Sequence, residues 1–224
     1  MIRTKEELVD RLAQEKVWRI REISELKNIV QARSMSCTRR RVVCRSGVAI
    51  LYAHWEGFVK KSGTYFLEYV ASQRLTLGEL KGNFVTIAMK GIIDQASIAK
   101  KYSAFEEITN YIRNNQGIRA RIPYRKIVDT ESNLSSTVLK EVAWCLGIDY
   151  SVFSTKEKFI DAKLVARRNY IAHGEVLEVD ESDFLDLANE VVGLIEAFRG
   201  QLENATVNES YKTVAKKSAT CINF

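Results

Sequence analysis

Apolar residues recur at three- and four-residue steps along most of this chain, the spacing of one helix face. Leu8, Leu12, Ile20, Ile23, Leu26 and Val30, interrupted by charges, predict an amphipathic helix running to about Arg33. Thr4-Lys5-Glu6-Glu7 has the capping-box form that opens such a helix. A second long helix follows from about Cys37 to Ser72, and its pattern is different. The stretch VAILYAHWEGFVKKSGTYFLEYV is apolar or aromatic on most sides, which predicts a central, buried helix. Gly47, Gly57 and Gly63 lie inside it, where glycine weakens a helix but lets a neighbour come close.

The middle of the chain is less regular. Thr76 to Met89 reads as a shorter helix, and Ser97 to Asn114 as another, carrying Ile98, Phe105, Ile108 and Ile112 and stopping at Asn115-Gln116-Gly117. In GIRARIPYRKIVDTES, Ile118, Ala120 and Ile122 alternate with arginines around the lone Pro123, so this segment is expected to be an extended loop. Asn133-Leu134-Ser135-Ser136 caps a helix through Trp144 to Leu146, stopped by Gly147. A second capping box, Ser154-Thr155-Lys156-Glu157, opens a helix with Phe159, Ile160, Leu164, Val165 and Ile171 that ends at His173-Gly174. Asp180 caps a last helix whose apolar face is Phe184, Leu187, Val191, Leu194, Ile195 and Phe198; the period fades from about Asn204. The pattern predicts an all-α fold, a single antiparallel helical bundle over residues 1–205 with long N-terminal helices and a flexible tail over 206–224.

Composition agrees with that reading. One proline and eleven glycines in 224 residues fit helices on short loops better than tight-turned strands. With 46% hydrophobic and 28% charged residues, most of the chain is not disordered. The first residues, MIRTKEELVDRLAQEK, lack the apolar core of a signal peptide, and no stretch approaches the roughly 20 apolar residues of a membrane helix, so a cytoplasmic protein is expected. The four cysteines show no CxxC spacing, and Cys37 and Cys44, two helical turns apart, are too distant for a disulfide. Two histidines starve any His-rich metal site, and no phosphate loop, dinucleotide fingerprint, zinc-protease or serine-hydrolase motif is present. No cofactor or metal is expected. The net charge of +6 permits a polyanionic partner.

One constellation remains, in VARRNYIAHGE. At about 100° per residue, Arg167 borders the stripe of Ile160, Leu164 and Ile171, and Arg168 lies on its shoulder. Arginines at the edge of a core are costly unless they are paired or used. Asp161 falls on the side of Arg168 and is placed to orient it; Asn169 precedes His173 by one turn and is placed to hydrogen-bond its imidazole. His173 stands at the negative end of the helix dipole, which favours its protonated form. A cationic His beside arginines suits proton transfer and anion stabilisation at a phosphodiester. Yet Arg168 and His173, five positions apart, diverge by about 140° on a straight helix. Either the helix distorts, or the site is assembled from two copies of the motif across a dimer axis. A purely structural account is also open: arginines near a helix end cap carbonyls, and His-Gly is a common helix stop.

Arg168-Asn169-Tyr170-Ile171-Ala172-His173, with LVARRNYIAHGE around it and YAHWEGFVK in the second helix, resembles the HEPN superfamily of small helical nucleases, in particular the prokaryotic MAE-type stand-alone branch. The resemblance spans most of residues 1–205. It implies a metal-independent endoribonuclease in which two motifs meet across a homodimer. Arg168 and His173 would be the catalytic pair and Asn169 the assisting polar residue; apart from the resemblance, Arg167, Asp161 and Glu175 are expected to be supporting residues. The ribose 2′-OH would attack the adjacent phosphate, leaving a cyclic phosphate and a free 5′-hydroxyl. Some HEPN toxins carry a tyrosine two residues past the histidine, where a nucleotidyltransferase modifies it; here that position is Glu175. Many relatives act as toxins or in phage defence, which implies an antitoxin or regulatory protein as a further partner.

For holding RNA, the loop with Arg119, Arg121, Tyr124, Arg125 and Lys126 is the leading candidate, being basic and carrying an aromatic ring for stacking. Arg39, Arg40, Arg41 and Arg45 read as a solvated helix face, and His54 as a hydrogen-bonded core residue, placed for a dimer interface. Two other classes stay open: a catalytically silent HEPN module that binds RNA or a partner protein, and a plain helical dimerisation or adaptor protein.

Overall fold

A computed structural model describes residues 1–213; Cys221 and the rest of the expected tail beyond that point lie outside the described residues. Three long helices form the frame: α1 (Lys5–Val30), α2 (Cys37–Ser72) and α9 (Glu181–Val207). Between α2 and α9 run α3 (Gly82–Ala88), α4 (Lys90–Ala99), α5 (Tyr102–Asn114), α6 (Ser136–Leu146), α7 (Ser151–Ser154) and α8 (Ala166–Ala172). The chain is all-α: among the described residues, β pairing is confined to isolated bridges at Thr76–Arg119 and Leu80–Lys212.

The frame starts where the side chains say it should. Thr4 and Glu7 close a capping box on α1, Ser36 accepts from Arg39 N–H at the start of α2, and Asp180 accepts from Asp183 N–H at the start of α9. α1 folds back on α2, bringing Glu15 to Tyr65 and Glu22 to His54. α9 runs the other way, alongside α2 in the same direction. Glu181 meets Arg40, Phe198 packs on Phe58 at 6.3 Å and Tyr211 on Tyr69 at 5.9 Å. Trp55, Phe58, Phe153 and Phe198 join edge-to-face and tilted in the centre. At Gly47 a Cβ would lie 2.5 Å from the ring of Phe184, so only glycine admits this close crossing of α2 and α9.

The structure departs from the sequence reading in three connecting segments. Thr76 to Met89 is a short 3-10 turn, Leu77–Glu79, followed by α3. The single helix expected over Ser97 to Asn114 is the hairpin of α4 and α5, broken where Lys100 takes a left-handed conformation (φ 51°) and caps α4. The expected tail begins too early: α9 continues to Val207, and Thr206 and Tyr211 are buried. Thr213 N–H also donates to the Glu79 carbonyl at 2.9 Å. Residues 206–213 thus belong to the packed body, held by too few apolar positions to register as a period. The segment 118–122 is extended as expected, with Ala120 and Ile122 buried and Arg119 and Arg121 outside. Cys37, Cys44 and Cys145 are free thiols. No helix among the described residues is long and apolar enough to cross a membrane.

His54 is a core residue. Its ring meets Trp18 edge-on at 5.3 Å, and Nε2 lies 3.3 Å from the Glu22 carboxylate. Arg19, itself buried, stacks on Trp18 at 4.1 Å and pairs with Glu15. Burial lowers the pKa of His54 below its ordinary 6.5, Glu22 opposing the shift and Arg19 adding to it. The unfolded chain then binds a proton that the folded chain resists, so this histidine's contribution is complete above about pH 6.5 and is lost as pH falls below it. Thermal melts at about pH 7.5 and about pH 5.5 should give a smaller loss of stability for His54→Gln than for wild type. An equal loss in both would contradict a buried neutral His54.

Candidate active site

The motif helix is irregular before it is regular. From α7 the chain passes through right-handed turn residues into a π-helical stretch, Phe159–Val165, and then into α8. The capping box expected at Ser154-Thr155-Lys156-Glu157 does not form. Ser154 Oγ donates to the Ser151 carbonyl and Glu157 accepts from the Tyr150 hydroxyl, so both groups are spent elsewhere. The wide π turn buries Ile160, Leu164 and Val165 and directs Asp161 to α6. There its carboxylate accepts from the Ser136 N–H at 2.7 Å and the Ser136 hydroxyl at 2.6 Å. Asp161 is an N-terminal clamp on α6 and does not orient Arg168, contrary to the wheel argument.

The two arginines have opposite surroundings. Arg167 forms an ion pair with Asp183 in the first turn of α9, fastening α8 to the frame. Arg168 meets no carboxylate among the described residues. Its Nη2 donates to the Ser132 carbonyl at 2.7 Å and to Asn133 Oδ1 at 3.2 Å, and its guanidinium lies over the ring of Tyr52, 4.1 Å from the centroid. Nε of Arg168 is buried without a partner among the described residues. The charge is therefore held in place but not neutralised.

Asn169 and His173 are not joined as expected. Asn169 Nδ2 reaches Asn133 Oδ1 at 3.5 Å, so its amide serves the same loop as Arg168. His173 is exposed at the C-terminal end of α8, its backbone N–H bonded to the Asn169 carbonyl, with Gly174 left-handed behind it (φ 77°). Ala166–Ala172 is α-helical, so the π turn lies before the pair and leaves the angle of about 140° between Arg168 and His173 in place.

What holds Arg168 is a junction of two distant stretches. The Tyr52 hydroxyl accepts from Leu134 N–H at 2.7 Å, and one turn on in α2, Glu56 accepts from the Thr130 hydroxyl at 2.7 Å. Between them Glu131 and Ser132 are both left-handed (φ 51° and 54°), which turns the Ser132 carbonyl and the Asn133 side chain toward Arg168. Thus YAHWE and ARRNYIAH meet through the loop 130–134. A family model described as MAE_28990-like HEPN matches residues 8–211. The chain belongs to this HEPN family. No curated protein and no solved structure matches the chain.

In this HEPN chain several contributors escaped the sequence reading. Asn133 was visible only as part of a helix cap. Arg45, read as part of a solvated face, donates to the Glu175 carbonyl at 2.8 Å and so ties α2 to the turn behind His173. Glu175 contributes that carbonyl, while its carboxylate has no hydrogen-bond or ion-pair partner among the described residues. Arg40 is likewise tied, to Glu181 and to the Ala32 carbonyl. The basic loop is not at the HEPN motif. Arg119, Arg121 and Tyr124 lie beside the far end of α2, near Ser72 and Arg74. Arg125 sits over the ring of Tyr124, and Lys126 faces a separate hollow beside Trp144 and Glu141.

Proposed function

We propose that this HEPN protein is a metal-independent endoribonuclease whose site is completed by a second copy of the chain. The observation that supports it most is the state of Arg168, fixed on Tyr52 and Asn133 with no acid to neutralise it among the described residues, one helix end away from an exposed His173. An arginine serving only the fold would resemble Arg167, paired and silent. A held but uncompensated guanidinium is suited to the charge of a phosphorane.

The divergence of Arg168 and His173 within one helix favours two motifs facing each other across an axis. On this reading a His173 imidazole takes the proton of the ribose 2′-OH, and the 2′-oxygen attacks the adjacent phosphorus. Arg168 stabilises the phosphorane, the bond to the 5′-oxygen breaks, and a His173 imidazolium returns a proton to that oxygen. The products are a 2′,3′-cyclic phosphate and a 5′-hydroxyl. The partners this calls for are RNA, a second copy, and an antitoxin or regulatory protein that restrains a toxin or phage-defence effector.

Purified protein should cut RNA in EDTA and leave 2′-O-methyl RNA intact, because the nucleophile is then blocked. The cutting species should run as a dimer. His173 has no side-chain partner among the described residues to set its tautomer, which favours one competing reading, a silent HEPN module. RNA bound by the wild type but never cut would establish that reading instead.

A further inference from the structure

We propose that the cavity bounded by Arg3, Arg74, Arg119, Arg121 and Tyr124 seats the phosphate backbone of a single-stranded RNA, remote from His173. The cavity measures about 690 Å³. Its arginines come from three parts of the chain: Arg3 just before α1, Arg74 just past α2 in a left-handed conformation (φ 57°), and Arg119 and Arg121 from the extended segment. Backbone bonding fixes the register that points the last two outward. Leu77 N–H donates to the Ile118 carbonyl at 3.0 Å and Ala120 N–H to the Leu75 carbonyl at 2.9 Å, while Ala120 and Ile122 are buried on the other side.

None of the four arginines has an ion-pair partner among the described residues, although Glu68 also lines the cavity. Four like charges around one hollow repel each other, and an anion relieves that cost. All four are exposed and come from separate segments, so they are suited to successive phosphates along a strand rather than to enclosing one small anion. Tyr124 adds a half-buried ring on the wall, a platform for a base.

The cavity is also linked to the motif by a continuous piece of chain. From Ala120 the segment runs along α2, with Val128 against Gly63, Thr130 bonded to Glu56 and Leu134 to Tyr52. A Cβ at Gly63 would lie 3.0 Å from Val128, so that glycine lets the strap lie flat on α2. Tyr52 and Ser72 are separated by 20 helical residues, so cavity and motif stand roughly 30 Å apart along α2. A strand held at both ends is positioned by one and cut at the other.

The inference rests on RNA as the substrate, and binding can be measured without cleavage. A fluorescent 2′-O-methyl 20-mer is titrated in EDTA, at several salt concentrations, with wild type, Arg33→Ala and the double variant Arg74→Ala/Arg119→Ala. Arg33 is exposed and outside the cavity, a control for charge alone. The double variant should bind about 10-fold more weakly, with the slope of log K against log salt reduced by about 1.4, while Arg33→Ala follows wild type. An unchanged slope in the double variant, an equal loss in Arg33→Ala, or no binding by the wild type overturns the proposal. Normal binding by a wild type that cuts no RNA would sink the ribonuclease reading and leave the cavity standing.

Discussion

Replacing His173 with alanine should reduce RNA cleavage by about 10²- to 10⁴-fold and leave the melting temperature where it was. The imidazole is exposed and has no side-chain hydrogen bond or ion pair among the described residues, so its removal costs the fold almost nothing. Arg168→Ala should be equally inactive but less stable. It deletes bonds to Ser132 and Asn133 and the stacking on Tyr52, which together hold the loop 130–134. Arg168→Lys restores the charge without the planar fork, so it should recover little cleavage. Single-turnover cleavage in EDTA beside thermal melts reads both quantities. Wild-type rates in both alanine variants would remove Arg168 and His173 from the chemistry.

The second large effect is expected at a residue that touches no substrate. Tyr52 is buried, carries the Arg168 guanidinium on its face and accepts from Leu134 N–H through its hydroxyl. Tyr52→Leu removes a cation–π contact of about 0.5–2 kcal/mol and strands a buried N–H at about 1–3 kcal/mol. A loss of about 2–4 kcal/mol in urea unfolding should follow. Cleavage should drop about 100-fold, because a guanidinium displaced by an ångström no longer meets the phosphorane. Tyr52→Phe separates the two roles: it keeps the ring under Arg168 and loses only the bond to Leu134. Its stability should fall with little change in rate. Equal activity in Tyr52→Leu and wild type would show that Arg168 needs no platform.

The helices that the sequence made legible are those with local punctuation. α1, α2, α6 and α9 each begin at a Thr, Ser or Asp whose side chain bonds the first turn. The break at Lys100-Lys101 carried no glycine or proline and was invisible. Site geometry failed for a different reason. The wheel that gave Asp161 to Arg168 assumes 3.6 residues per turn, and the π stretch from Phe159 to Val165 has a wider turn. The true partners of Arg168 lie 35 and 36 positions upstream, in a loop with two left-handed residues, and no local pattern announces such a contact. Arg168 and His173 were readable as a motif; what holds the one and leaves the other bare was not.

The co-directional pairing of α2 with α9 also sets an order of assembly. α1 and α2 are joined by a short turn and can pair as soon as both exist, whereas α9 must close a loop that spans every intervening element. Arg167 pairs with Asp183 in the first turn of α9, so part of what fastens the motif helix to the frame arrives with α9. Pulse-labelled hydrogen exchange during refolding should find α1 and α2 amides protected before those of α8 and α9; simultaneous protection would refute this order.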